Sequence, residues 1–210
     1  MHVTRPQPSG RNGAQPPPPS GISPKLSVGS TAPSFGPAHT LIEYIMFSLS
    51  NTLPTDKPAL YATLAAQARA LIEGESDAIA NAANFASLVF HSLEGLNWAG
   101  FYSFDGTELV VGPFQGKPAC VRIALGKGVC GTAAATQQTQ VVPDVHAFPG
   151  HIACDPASRS EIVVPLVTPD GELIGVWDVD SPHLARFDEE DARGMELLCR
   201  TFIEYGLKRG

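Results

Sequence analysis

Residues 160–181 read Ser160-Glu-Ile-Val-Val-Pro-Leu-Val-Thr168 and Glu172-Leu-Ile-Gly-Val-Trp-Asp-Val-Asp-Ser181 on either side of Pro169-Asp170-Gly171. Two runs rich in β-branched residues around an Asp-Gly pair predict a β-hairpin with a two-residue turn at Asp170-Gly171. With that turn, Asp180 faces Glu161 and Asp178 faces Val163. Side chains alternate along a strand, so Glu161, Asp178 and Asp180 project from one face, with Ile174 and Val176 nearer the turn. Like charges set opposite each other are destabilising. If buried, one of the three holds a proton near neutral pH, as a general acid requires. At an exposed strand end the same acids would simply solvate it, and Arg159 is close enough in sequence to neutralise part of the cluster.

The pattern extends upstream. Asn97–Phe104 and Thr107–Phe114 flank Asp105-Gly106 as a second predicted hairpin. Lys127–Gln138 reads as a short helix leading into a strand at Gln140–Pro143. Helical spacing marks Lys57–Glu73 through Leu60, Leu64, Ala68 and Leu71. It also marks Asp77–Leu93, with Ile79, Ala82, Phe85 and Val89 on one stripe, Ser76 or Asp77 as cap and Gly95 as terminator. A last helix begins near Asp188 and carries Met195, Leu198, Phe202 and Tyr205. Helices, hairpin, irregular middle, hairpin and helix imply an α+β fold, an antiparallel sheet covered by helices.

Residues 1–42 hold nine of the 19 prolines, no acid, and Arg5, Arg11 and Lys25 as their charges. Such a Pro/Gly/Ser-rich segment is expected to be a disordered or extended appendage to a single domain over 54–208. Beyond it, 21 acidic residues face 11 basic ones, which argues against nucleic acid as a partner. No apolar run approaches the roughly 18–20 residues of a membrane span, and no secretory core opens the chain, so a cytoplasmic location is expected.

The chain has four cysteines. Cys199, beside Leu197 and Leu198, reads as a small buried hydrophobe. Cys120, Cys130 and Cys154 lie in the irregular middle, where Gly, Lys and Pro keep thiols accessible. Cys130, at the start of a helix, is the reactive candidate on local grounds, because a helix N-terminus lowers a thiol pKa. A zinc site could recruit His146 and His151, but no Cys-x-x-Cys pair is present. The residues alone leave thiol redox chemistry, inert thiols and metal binding open; redox chemistry is the reading that also uses the carboxylates.

Those residues also carry a family likeness. Asn97-Trp-Ala-Gly-Phe-Tyr102, Gly112-Pro-Phe-Gln-Gly-Lys-Pro-Ala-Cys120 and Gly126-Lys-Gly-Val-Cys-Gly-Thr132 resemble the free methionine-(R)-sulfoxide reductases. So do Val142-Pro-Asp-Val-His-Ala-Phe-Pro-Gly-His-Ile-Ala-Cys154, Ser158-Arg-Ser-Glu-Ile-Val-Val-Pro165 and Asp178-Val-Asp-Ser-Pro182. The resemblance covers about residues 57–206 and implies a GAF fold with a central antiparallel sheet of about six strands flanked by helices. It implies reduction of free L-methionine-(R)-sulfoxide with no metal or organic cofactor and an external dithiol reductant of the thioredoxin type. Cys154 matches the nucleophile and Cys120 its resolving partner, while Cys130 matches a third cysteine of variable role. Glu161, Asp178 and Asp180 match acids around the sulfoxide and the substrate ammonium, and Trp98 and Tyr102 an aromatic wall at the methyl-sulfur end. By the same resemblance the enzyme is expected to be a homodimer. A silent GAF ligand-binding module and a thiol oxidant sensor are the alternatives. Trp177 stands where a smaller aliphatic is common and is expected to point away from the acids.

Overall fold

Asp56 and Asp77 start the first two helices by accepting amides of the first turn. Asp56 Oδ2 takes Ala59 N at 3.1 Å at the head of α1 (Lys57–Ile72), and Asp77 Oδ1 takes Ala80 N at 2.8 Å at the head of α2 (Ala78–Ser92). A computed structural model describes residues 53–152 and 155–207, so the expectations for residues 1–42 and for Cys154 lie outside the described residues. Ile79 is 72% exposed, against expectation. It falls in the first turn of α2, before the buried stripe of Ala82, Phe85, Ala86 and Val89 begins.

Six strands follow: β1 (Trp98–Phe104), β2 (Glu108–Gly116), β3 (Arg122–Ala124), β4 (Gln140–Val142), β5 (Ser160–Val167) and β6 (Leu173–Ser181). They form one sheet in the order β3-β2-β1-β6-β5-β4, every neighbour antiparallel. Residue patterning alone marked five of them. The sixth, β3, is a three-residue edge strand, too short to show alternation. Between β3 and β4 lies α3 (Gly128–Thr136), and after β6 comes α4 (Glu189–Thr201), continued by a π turn over Phe202–Gly206. α4 is closed by a capping box of Asp188 and Asp191. Asp191 also accepts Tyr61 Oη and Lys57 Nζ, at 2.8 and 2.7 Å, tying α1 to α4.

Both hairpin turns differ from expectation. Asp105 sits before the first turn because its Oδ1 accepts the amides of Thr107 and Glu108, both at 3.0 Å. Gly106, with φ +97°, and Thr107 are then the central pair. The second loop has three residues, Pro169–Gly171, closed by Thr168 N to Glu172 O at 2.9 Å. That slips the register by one residue at the turn, and a bulge restores it: Val167 pairs with Leu173 but Leu166 with Gly175. The predicted pairs Glu161–Asp180 and Val163–Asp178 therefore stand. Ile174, the bulged residue, packs on the helical side instead of sharing the acids' face.

Helices α2 and α4, with α1 packed on them from outside, cover one face of the sheet. Trp177 is fully buried there, edge-on to Phe85 at 5.0 Å between ring centres and close to Phe101 at 4.6 Å. It points away from the acids, as expected. The opposite face is covered by α3 and the loops around it, over Val142, Val163 and Val176. No helix among the described residues is long and apolar enough to cross a membrane.

Candidate active site

Strand alternation assembles the site on the α3 side of the sheet. β6 supplies Asp178 and Asp180, β5 supplies Glu161 and β1 supplies Trp98 and Tyr102. In the neighbouring strand, Trp98 pairs with Asp180 and Gly100 with Asp178. Gly100 keeps the floor open between the two aromatic residues, since a Cβ there would stand 2.6 Å from Trp98 Cη2. Cys130, in the first turn of α3, completes the cluster. These six side chains line a pocket with about 530 Å³ of free space, including its open mouth.

Trp98 stacks on Tyr102 at 5.8 Å and on Phe114 at 5.2 Å, and its Nε1 donates to Lys117 O at 3.1 Å. Phe114 was not singled out from the sequence. The signal available was its place opposite Gly100 in the first hairpin, obscured by the shifted turn and by a bulge between Gly100 and Tyr102. Ser158 and Asp155 also line the pocket and were likewise missed as individual residues.

Glu161 and Asp178 are buried and Asp180 half-buried. Among the described residues none of the three forms an ion pair, and Arg159 is exposed. Burial, with Asp178 and Asp180 nearby, holds the Glu161 carboxyl well above the usual carboxylate range. Burial raises Asp178 to about 7, against the pull of hydrogen bonds from its neighbours. Asp180 is also held well up by burial and by the Asp178 charge. Asp178 Oδ1 is buried without a hydrogen-bond partner. The cluster is thus a set of carboxyls held above their usual range, with no ion-pair partner among the described residues.

Cys130 departs from its expected character. Its buried Sγ donates to Glu161 Oε1 at 3.7 Å, and burial together with Asp178 and Glu161 pushes the thiol well above its ordinary value. These effects outweigh the helix N-terminus and hold the Cys130 thiol toward its protonated form. Cys199 is free and 2% exposed on α4, the small buried hydrophobe expected. Cys120 is half-buried and disulfide-bonded, and Cys130 is free. The group among the described residues that could hold a cation is Cys130, Glu161 and Asp178, whose ligand atoms lie within 4.8 Å of one another. It includes neither His146 nor His151, whose rings stand 6.2 Å apart, so the histidine-based zinc site is not formed by the described residues.

The GAF domain family profile matches residues 37–202. The free methionine-R-sulfoxide reductase of Escherichia coli is 51% identical over 143 residues, covering 68% of this chain and 86% of that protein. This chain belongs to the free methionine-R-sulfoxide reductase family of GAF-domain proteins. Another member, from Neisseria meningitidis, has been solved in complex with its substrate; it is 46% identical, with a TM-score of 0.72 over 77% of this chain and 96% of that one. A GAF protein from Burkholderia vietnamiensis, provisionally classed as a sensor, is 79% identical, with a TM-score of 0.70 over 71% of this chain and 95% of that one. The family's GAF architecture agrees with the six-stranded sheet described above.

Proposed function

We propose that this chain reduces free L-methionine-(R)-sulfoxide to methionine by thiol chemistry. The observation that carries the reading is the set of buried Glu161 and Asp178 and half-buried Asp180, without an ion pair among the described residues and sharing a pocket with Trp98 and Tyr102. A zwitterionic substrate supplies the missing cation: its ammonium enters between Asp178 and Asp180, and its methyl-sulfur end lies against the aromatic wall. The ammonium's positive charge neutralises part of the cluster and so lessens the penalty that carboxylates impose on a nearby thiolate.

Cys154 attacks the sulfoxide sulfur while Glu161, protonated, gives its proton to the sulfoxide oxygen. Methionine leaves, the oxygen stays on Cys154 as a sulfenic acid, and sulfur in the substrate is reduced as sulfur in the protein is oxidised. Cys120 then condenses with the sulfenic acid, releasing water and forming a disulfide. An external dithiol of the thioredoxin type reduces that disulfide, without a metal or organic cofactor. The choice of Cys120 as resolving thiol is supported by its disulfide state, against the free thiol of Cys130. Cys130 holds Glu161 through its S–H donor. The resemblance adds a cytoplasmic homodimer as the working unit.

Specificity for the free amino acid follows from the same acids. A peptide nitrogen in place of the ammonium leaves a buried carboxylate unpaired, a defect that costs several orders of magnitude in selectivity elsewhere. With dithiothreitol as reductant, N-acetylmethionine-(R)-sulfoxide is expected to turn over at least about 10²-fold less efficiently than the free amino acid. Equal efficiency on both would contradict the ammonium site. A protein that binds methionine sulfoxide without turnover would instead be a sensor.

A further inference from the structure

Two segments outside the helices and strands contribute to the pocket lining: 117–121, which carries Cys120, and 155–159, which follows Cys154 in the chain. Asp155 joins them. Its carboxylate lies 3.2 Å from Lys117 Nζ and accepts Asn97 Nδ2 at 3.3 Å and Ala157 N at 2.9 Å. Asn97 Nδ2 also donates to Ser158 Oγ at 2.9 Å, and Asn97 N donates to Asp180 O at 3.0 Å, so the network is rooted in the sheet. On the other side, Lys117 O accepts Trp98 Nε1. The Asp155 side chain is 6% exposed, and a buried carboxylate persists only when well supplied with donors. The Ala157 amide, Lys117 and Asn97 hold it below the usual carboxylate range.

We infer that Asp155 and Lys117 form a positioning clamp for disulfide closure, holding the Cys120 segment and the segment after Cys154 in the register they have here, where Cys120 is disulfide-bonded. The inference rests on the reductase reading. After oxygen transfer, Cys154 bears an S–OH group. The Cys120 sulfur attacks the Cys154 sulfur, the S–O bond breaks, and the hydroxyl leaves as water with the Cys120 proton. The speed of that step depends on the effective concentration of one sulfur at the other, which the mutual placement of the two segments sets. The contacts are those of the disulfide-bonded product; by holding the same register before the bond forms, the clamp favours closure and makes no demand on the oxygen-transfer step.

The test mixes the reduced full-length chain with one equivalent of free methionine-(R)-sulfoxide, without external thiol, and follows methionine release and loss of free thiols by rapid quench. Lys117→Ala is expected to release methionine at the wild-type rate but to close the disulfide up to about fivefold more slowly, the span expected of an exposed ion pair. Sulfenic acid trapped by dimedone should persist correspondingly longer. Lys117→Arg should restore closure, and added salt should slow closure in the wild type but not in Lys117→Ala. Asp155→Asn, which keeps an acceptor for Ala157 but loses the charge, should slow closure at least as much. Closure at the wild-type rate in both Lys117→Ala and Asp155→Asn would overturn the clamp. So would equal slowing of methionine release and closure in Lys117→Ala, which would mean general loosening. Failure of the wild type to release methionine would defeat the reductase reading, a separate result.

Discussion

Replacing Cys154 by serine is expected to lower turnover of free methionine-(R)-sulfoxide by at least about 10³-fold, roughly 4 kcal/mol in the barrier. A serine hydroxyl at neutral pH offers almost no anion, and its oxygen cannot take the oxidation that a thiol takes. The variant should release no methionine in a single turnover and keep its Cys120 thiol free under substrate. Cys120→Ser should behave differently: it should release one equivalent of methionine per site, then stall as a trappable sulfenic acid until an external thiol resolves it. Chromatographic quantification of methionine, with thiol counting on the same samples, checks both. Cys154→Ser retaining more than a few per cent of turnover would transfer the nucleophile's role to another thiol.

Glu161→Gln should show the second large effect, a loss of about 10²–10⁴-fold in kcat with a smaller change in KM, the range of a missing general acid. Glutamine fills the same space and still accepts the Cys130 thiol, but it has no proton to give. The pH dependence has a definite sign. A general acid works while protonated, and the folded pocket raises Glu161 well above its usual value and Asp178 to about 7. Activity limited by that proton is therefore full on the acidic side of the raised value and falls as pH rises through it. In Glu161→Gln this fall should disappear from the residual kcat. Asp180→Asn should act mainly on KM, because Asp180 is assigned to the ammonium. If Asp180→Asn instead lost kcat and Glu161→Gln lost only affinity, the two roles would be exchanged.

The acid cluster was legible because strand alternation is robust. Two departures in the second hairpin, a three-residue loop and a bulge at Ile174, cancelled before the chain reached Asp178. Nothing compensated in the first hairpin, where the Asp105 side chain accepted the turn amides and shifted the central pair to Gly106-Thr107. That slip, together with a bulge between Gly100 and Tyr102, concealed Phe114. Cys130 shows the limit of local reasoning. Its helix position suggests a lowered pKa, whereas the opposing groups, Glu161 and Asp178, arrive from strands far along the chain. The clamp was equally hidden, since Lys117, Asn97 and Asp155 meet through tertiary contacts with no shared periodicity. The cysteine roles were set by family likeness, because the residues alone left redox, inert and metal readings open.

The most direct measurement is methionine release from the separated R and S epimers of free methionine sulfoxide, with dithiothreitol as the sole reductant. Dithiothreitol removes dependence on any particular protein donor, so the assay addresses the site itself. The account predicts catalytic release of methionine from the R epimer and none above background from the S epimer. No release from either epimer, or equal release from both, would contradict it.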